Sequence, residues 1–321
     1  MIEKIRTIIR ANSSFLVVSH KEPDGDSIGS LVAFASILNS IPGKTAYPYY
    51  PVKIPQRFSF LTKEQHLLQQ LPQENFDILV MLDCASADRI AGLSPESFND
   101  KLKINIDHHP TNPNFADINW VEPERSSVGE MVFELFTDLP LPHIALEGLY
   151  TAILTDTGRF SYQNVNARVL QIASRILDSG VDHYKIVSNI YFNYPFQFLR
   201  ELGRSLSNAQ FFCDGKILFL VLDSSNDDIL NECESVVEFA LLEKGIEVGV
   251  LFRALDSNKT KISLRSRDRF DVGELASFFG GGGHRTASGC ILNFNLKDAQ
   301  KIVLDEILRR GIYGAQASNS K

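Results

Sequence analysis

The chain has 321 residues, 44% hydrophobic and 22% charged, a balance that allows sizeable apolar cores and does not point to disorder. Its net charge of −7 argues against a protein that coats long nucleic acid, which shows a basic footprint, but leaves room for a small anion held by bound cations and a few arginines. No apolar run approaches the roughly 18–20 residues that cross a bilayer, so no membrane partner and a cytoplasmic location are expected.

The first residues, MIEKIRTIIRANSS, read as an amphipathic helix rather than a cleaved leader. Residues 15–20, FLVVSH, form an apolar run typical of a buried strand, and a turn marked by Pro23 and Gly25 follows. SIGSLVAFASILNS then spaces its apolar residues at three and four, as a helix does. FDILVMLD at 76–83 is a second buried strand ending on an acid. Residues 102–106, LKINI, alternate like a strand and run straight into Asp107-His108-His109. Helices are expected at 127–137, 144–154 and 167–179, the last stopped by Gly180. Strands alternating with helices imply an α/β fold with a mainly parallel sheet covered by helices on both faces.

Residues 182–206 read as a helical connector. Beyond it, FFCDGKILFLVLD places Asp214-Gly215 between two apolar runs, a strong hairpin signal. A helix near 235–243, strands near 246–254 and 260–267, a glycine run at 280–283 and a helix at 296–310 complete a smaller α/β domain. The expected organisation is thus 1–190 for the first domain, 191–205 for a linker and 206–321 for the second. The tail after about 314 is polar and predicted to be disordered. Cys84, Cys213, Cys233 and Cys290 lie far apart with no C-x-x-C pair, so they read as ordinary thiols of a reducing compartment.

The acids and histidines that close apolar runs carry the chemistry. His20 ends the first strand, Asp24 and Asp26 follow in its turn, Asp83 ends the second, His108 and His109 follow the third, and Asp156 follows a helix. In a parallel sheet the carboxyl ends of the strands share one edge, where ligands bind. Each residue also has a plain structural explanation. Asp24 or Asp26 can cap the next helix, Asp83 can be a turn residue, and a His-His pair can simply be structural. Asp156 is harder to explain, because a carboxylate at a helix C-terminus meets the unfavourable end of the dipole. Taken together, four carboxylates in one cleft cannot all stay ionised without compensation. Two divalent cations supply it, and oxygen ligands with two imidazoles suit Mn2+, with Mg2+, Co2+ or Zn2+ as alternatives.

The same segments resemble a known family. SHKEPDGDSIGS, LDCAS after Met81, DHH at 107–109 and TDTGRF at 155–160 look like the four successive motifs of DHH phosphoesterases. FGGGGHRTASG at 279–289 resembles the glycine-rich signature of the DHH-associated C-terminal domain. The resemblance implies that His20 and Asp24 hold one metal, that Asp26, His108 and Asp156 hold the other, and that Asp83 bridges them. His109 would then face the scissile phosphate, with Asp107 orienting a histidine. The arrangement is most similar to stand-alone members that degrade short oligoribonucleotides and dephosphorylate pAp, or that cleave cyclic di-AMP or pApA. A homodimer joined through the first domain is implied by the same resemblance.

In the second domain, KISLRSRDR on a strand puts Lys261, Ser263, Arg265, Arg267 and Arg269 on one face, either a solvated surface or an anion-binding one. Glycines at 280–283 are costly in chain entropy and suit close approach to a ligand, with N–H groups turned toward an anion. Gly281, Gly282 and Gly283 are therefore expected at the substrate. The resemblance adds His284, Arg265 and Arg285 as phosphate or nucleotide contacts, and Arg159, three residues after Asp156, is expected to help from the first domain. The expected activity is two-metal hydrolysis of short oligoribonucleotides to 5′-mononucleotides in a cleft between the domains, with pAp as a further substrate. Cyclic di-AMP hydrolysis, pyrophosphate or polyphosphate hydrolysis, and nucleotide binding without catalysis are the alternatives. There is no G-x-S-x-G elbow, and the glycine run lacks the Lys-Ser/Thr ending of a P-loop.

Overall fold

A computed structural model describes residues 1–222, 236–267 and 269–312. Cys233, the first residue of the helix expected at 235–243 and the tail after 314 fall outside the described residues. The chain divides into two compact units, Met1–Asn193 and Tyr194–Lys321.

The first unit opens with helix α1 (Ile2–Ala11) and strand β1 (Ser14–Ser19), followed by α2 (Gly25–Ser40) and β2 (Thr45–Pro48). Strands β3 (Ile78–Leu82), β4 (Leu102–Asp107) and β5 (Ile118–Val121) follow, then helices α3 (Val128–Leu135), α4 (His143–Asp156), α5 (Ala167–Asp178) and α6 (His183–Tyr191). The strands pair in the order β2-β1-β3-β4-β5, every pairing parallel. Their period-two alternation divides the core. Phe15, Val17, Val80, Leu82, Ile104 and Ile106 join the helices in one cluster. Leu16, Val18, Leu79 and Met81 face the other way, against Tyr49, Phe76 and Ile90. The α-helices therefore lie against the first set. The second is covered by the long connections between strands, whose helical content there is the short 3-10 turns Ala87–Arg89 and Pro95–Phe98.

Two glycines set how the helices meet beside the sheet. A Cβ on Gly29 of α2 would stand 2.3 Å from the Gly148 carbonyl oxygen of α4, so these two helices touch backbone to backbone. A Cβ on Gly25 would run into the Thr155 side chain. The start of α2 is thereby pressed against the end of α4, which brings the acids of the first turn toward Asp156.

The second unit contains α7 (Phe196–Ser207), β6 (Gln210–Phe212), β7 (Ile217–Leu222), α8 (Val236–Ala240), β8 (Val248–Asp256), β9 (Lys259–Ser266), α9 (Val272–Phe278), β10 (Gly282–His284), β11 (Ala287–Leu292) and α10 (Leu296–Arg310). Among the described residues its sheet runs β10-β11-β9-β8-β7-β6. The β7–β8 pairing is parallel and the others are antiparallel. The expected hairpin is β6–β7, turned by Cys213, Asp214 and Gly215 with φ of 54°, 54° and 79°, the left-handed geometry that suits the twist of paired strands. Among the described residues no helix is long and apolar enough to cross a membrane.

Candidate functional site

The carboxyl ends of β1, β3 and β4, the first turn of α2 and the last residue of α4 converge in the first unit. His20, Asp24 and Asp83 offer ligand atoms within 4.8 Å of one another, and so do Asp26, His108 and Asp156. Asp83 joins the two groups. Its Oδ2 lies 3.2 Å from His20 Nε2, and its Oδ1 lies 3.6 Å from His108 Nε2 and 3.5 Å from His109 Nδ1. That Oδ1 is buried without a hydrogen-bond partner among the described residues, the expected condition of an oxygen reserved for a cation. Asp83 also has φ of 58°, and its N–H donates to the Ile106 carbonyl. It is a turn residue as well as an inward-facing acid.

Other members carry two roles in the same way. Asp24 caps α2, with Oδ1 accepting from the Ser27 N–H at 2.8 Å, while its Oδ2 stands 3.5 Å from His20 Nε2. Asp26 is fully buried and accepts the Val128 and Gly129 N–H groups at the start of α3, at 2.6 and 2.9 Å. Its Oδ2 is 3.7 Å from His108 Nε2. Asp156, at the C-terminal end of α4, has Oδ2 at 3.2 Å from the same nitrogen. His108 is oriented from behind, its Nδ1–H donating to the Arg125 carbonyl at 3.1 Å, which turns Nε2 toward the three acids.

Electrostatics point to excess negative charge. Burial, reinforced by Asp83 and Asp156, raises the Asp26 carboxyl well above the usual range. Burial likewise raises Asp156, with Asp24 and Asp83 adding to the effect and outweighing the neighbouring His108. For His20 and His108 burial alone would disfavour the charged form. The surrounding carboxylates overcome it and lift both well above the ordinary histidine value. Asp24 runs the other way: burial pushes it up, but His20 and the Ser27 hydrogen bonds outweigh it and hold it down. Asp26, Asp156 and both imidazoles hold on to protons, and a divalent cation offers the same compensation without them. The donor set of carboxylate oxygens and imidazole nitrogens fits divalent metals.

His109 sits beside this group. Its Nδ1–H donates to Asp107 Oδ1 at 2.7 Å, and Asp107 Oδ2 accepts from Asn112 Nδ2 at 2.5 Å. Asn112 Nδ2 also reaches Asn105 Oδ1 and the Cys84 carbonyl. Burial pushes the Asp107 carboxyl up, but His109 and Asn112 outweigh it and hold it down at about 2. Asn105, Asn112 and the turn around Arg125 did not stand out in the sequence. Their value lies in hydrogen bonds to partners distant along the chain, and polar loop residues carry no periodic signal. Arg159 is exposed, with its guanidinium over the Tyr191 ring at 4.8 Å.

In the second unit the pairing register aligns Arg265 with Ala287, and Ala287 with His284, across β9, β11 and β10. Directly paired residues of antiparallel strands share a face. Arg265 and His284 therefore flank a lane floored by Ala287, and the next row on that face is Ser263, Gly289 and Gly282. Arg265 donates one Nη1 bond to the Leu264 carbonyl, while its Nε is buried without a hydrogen bond among the described residues. Arg267 lies past the strand and is spent on the Ile246 and Leu241 carbonyls. Arg269 approaches Glu247, and Arg285 approaches Asp271. Gly281 has a packing reason of its own, since a Cβ there would stand 2.1 Å from the Gly289 carbonyl oxygen. Gly283, with φ of 137°, would bring a Cβ within 2.6 Å of the Ala287 carbonyl oxygen.

Comparison with known proteins gives these groups a context. Residues 14–169 match the N-terminal domain of the DHH family, and residues 214–309 match the DHHA1 domain. The bifunctional oligoribonuclease and PAP phosphatase NrnA of Thermus thermophilus is 31% identical over 299 residues, covering 91% of this chain and 88% of the relative. The protein of the same name from Bacillus subtilis is 26% identical over 317 residues, covering 94% and 96%. The crystal structure of an exopolyphosphatase-related protein from Bacteroides fragilis superposes with a TM-score of 0.84 at 29% identity, covering 96% of this chain and 95% of that one. His20, Asp24, Asp26, Asp83, Asp107, His108, His109 and Asp156 all lie within the matched N-terminal domain. The chain belongs to the DHH family.

Proposed function

We propose that this protein is a two-metal phosphohydrolase that cleaves short oligoribonucleotides such as pApA to 5′-mononucleotides and removes the 3′-phosphate of pAp, with Mn2+ as its metal. The observation that carries this reading is Asp83, whose two carboxylate oxygens face two different His/Asp groups. His20 and Asp24 would hold one ion, Asp26, His108 and Asp156 the other, and Asp83 both. When bound, such a pair supplies a nucleophile at neutral pH and neutralises charge at the phosphoryl group.

The chain's own residues do the rest. Asp107 accepts the Nδ1–H of His109, so that Nε2 points away from Asp107; with that nitrogen protonated as well, it donates to a phosphoryl oxygen or passes its proton to the leaving oxygen. Capping by Asp24 and the paired N–H bonds to Asp26 keep those carboxylates at fixed positions without reorganisation, the condition under which electrostatic stabilisation is largest. In this reading residues 1–190 form the catalytic part and residues 206–321 the part that recognises substrate. Arg265 and His284, flanking a floor of small residues, would grip a phosphate or terminal nucleotide. Arginine provides a bidentate fork for such a group. Gly281, Gly282, Gly283, Arg285 and Arg159 complete the proposed substrate contacts. The names of the Thermus and Bacillus relatives support the nucleotide assignment.

The test is a chromatographic time course with Mn2+ and, in parallel, pApA, a five-nucleotide RNA, pAp, cyclic di-AMP, pyrophosphate and polyphosphate. Mononucleotides from the linear RNAs and AMP from pAp are expected. Phosphate from the inorganic substrates with the nucleotides intact would replace this reading by pyrophosphate or polyphosphate hydrolysis.

A further inference from the structure

We infer that Glu130 is a positioning residue for one of the two metals, because it holds the turn from which all three residues of the Asp26–His108–Asp156 group are suspended. The inference rests on the two-metal reading above. His108 Nδ1 is bonded to the Arg125 carbonyl at 3.1 Å. Asp26 is bonded to the N–H groups of Val128 and Gly129. The Asn164 amide donates both to the Ser126 carbonyl, at 3.2 Å, and to the Asp156 carbonyl, at 3.0 Å. Residues 125–129 are thus a common hanger for three groups that come from three different elements.

Glu130 fastens that hanger. It is 1% exposed and sits in the first turn of α3, where a carboxylate meets the favourable end of the helix dipole. Oε2 accepts the Ser126 N–H at 2.8 Å and the Ser126 hydroxyl at 2.9 Å. Oε1 accepts from Arg125 Nη1 at 3.0 Å and lies 3.5 Å from Arg168 Nε. The same carboxylate therefore fixes the residue whose carbonyl holds His108 and the residue whose carbonyl holds Asn164. The other group is suspended differently. Asp24 is held by Ser27 and Asp83 by Ile106, and none of the bonds described for that group runs to the turn.

Glu130→Gln preserves the shape but removes the charge opposite Arg125 and turns one acceptor into a donor. Losing a partner behind a ligand typically weakens metal binding by roughly 10–100-fold, and here the loss should fall on one ion only. Calorimetric titration of the metal-stripped full chain with Mn2+ tests this. The wild type is expected to bind two ions. Glu130→Gln is expected to keep one site at wild-type affinity and weaken the other by that factor. In an Asp156→Asn background, which already removes a ligand of the same ion, it should add nothing. Glu147→Gln, at an equally buried glutamate of α4 paired with Lys185, should leave both sites unchanged. Asn164→Ala withdraws a different thread of the hanger and should weaken the same site, so the inference stays testable if Glu130→Gln does not fold. Equal weakening of both sites, or of neither, in a wild-type background that binds two ions overturns the role of Glu130. A wild type that binds fewer than two ions instead removes the two-metal reading on which it rests.

Discussion

The acid-bearing strand ends of the first unit and the glycine-rich strand of the second invite opposite treatment. In the first, plain structural roles and the proposed chemical ones coincide in the same residues. Asp24 caps a helix with one oxygen and faces His20 with the other, and Asp83 is both a left-handed turn residue and the acid between two groups. In the second, close packing of β10 on β11 already explains Gly281 and Gly283, and Arg267 is consumed by backbone carbonyls. Arg265, by contrast, keeps its Nε without a hydrogen bond among the described residues. A structural explanation of a residue thus does not compete with a chemical one where the side chain has two oxygens to divide. It does compete where the residue has only a missing Cβ to offer.

The largest effect should come from the joint of the first region. Asp83→Ala is expected to lower pApA hydrolysis by at least about 10³-fold at saturating Mn2+, the scale of a lost electrostatic contribution to a transition state. Near-wild-type turnover in that variant would remove the idea that one carboxylate serves both groups. Next comes His109→Ala, for which a loss of about 10²–10⁴-fold in kcat is expected for a group that assists proton transfer, with Mn2+ stoichiometry unchanged. A drop in stoichiometry would make His109 a ligand instead.

A third effect concerns protons. His20 and His108 hold protons well above the ordinary value in the metal-free protein, and Asp26 and Asp156 are raised as well. Cations must displace those protons, so Mn2+ binding at pH 7 should release protons and tighten as pH rises. Calorimetry in two buffers of different ionisation enthalpy measures the release, and identical heats would contradict it. The sign for stability without metal is the reverse for the histidines. Their raised values stabilise the fold fully below the unfolded pKa, and that contribution is lost as pH climbs through the folded one.

Smaller effects separate packing from binding in the second region. Gly281→Ala should destabilise that unit by roughly 1–3 kcal/mol through the clash with the Gly289 carbonyl, read as a lower Tm with both Mn2+ sites intact. Arg265→Ala should raise KM for pApA by about tenfold, for loss of a charged hydrogen bond worth about 1.5 kcal/mol, and leave kcat nearly unchanged. A fall in kcat with KM constant would move Arg265 from gripping the substrate to assisting the reaction.

Much of the fold was legible because it is written in period and length. β1 and β3 are apolar runs buried on both faces, β4 alternates apolar with polar residues, and α2 and α4 show helical spacing. β2 and β5 were not legible. Each is a four-residue edge strand, and TAYP even ends in proline, so neither offers enough alternation to register. Within the site, the acids and histidines at strand ends stood out because their positions break apolar runs. Glu130 did not stand out, although Ser127-x-x-Glu130 has the spacing of a capping box. Half of that signal holds, since Ser127 accepts the Glu130 N–H. The Glu130 carboxylate goes instead to Ser126 and Arg125, a choice fixed by the surrounding fold and invisible in spacing.

The backbone at Asp83 constrains how this chain can change over generations. With φ at 58°, the position tolerates aspartate, asparagine and glycine far better than a β-branched or bulky side chain. A lineage that abandons hydrolysis can discard the carboxylate there, but not freely the conformation that carries it. Asparagine or glycine at position 83 would be the trace left by such a loss, and a valine would signal that the strand end itself had been rebuilt.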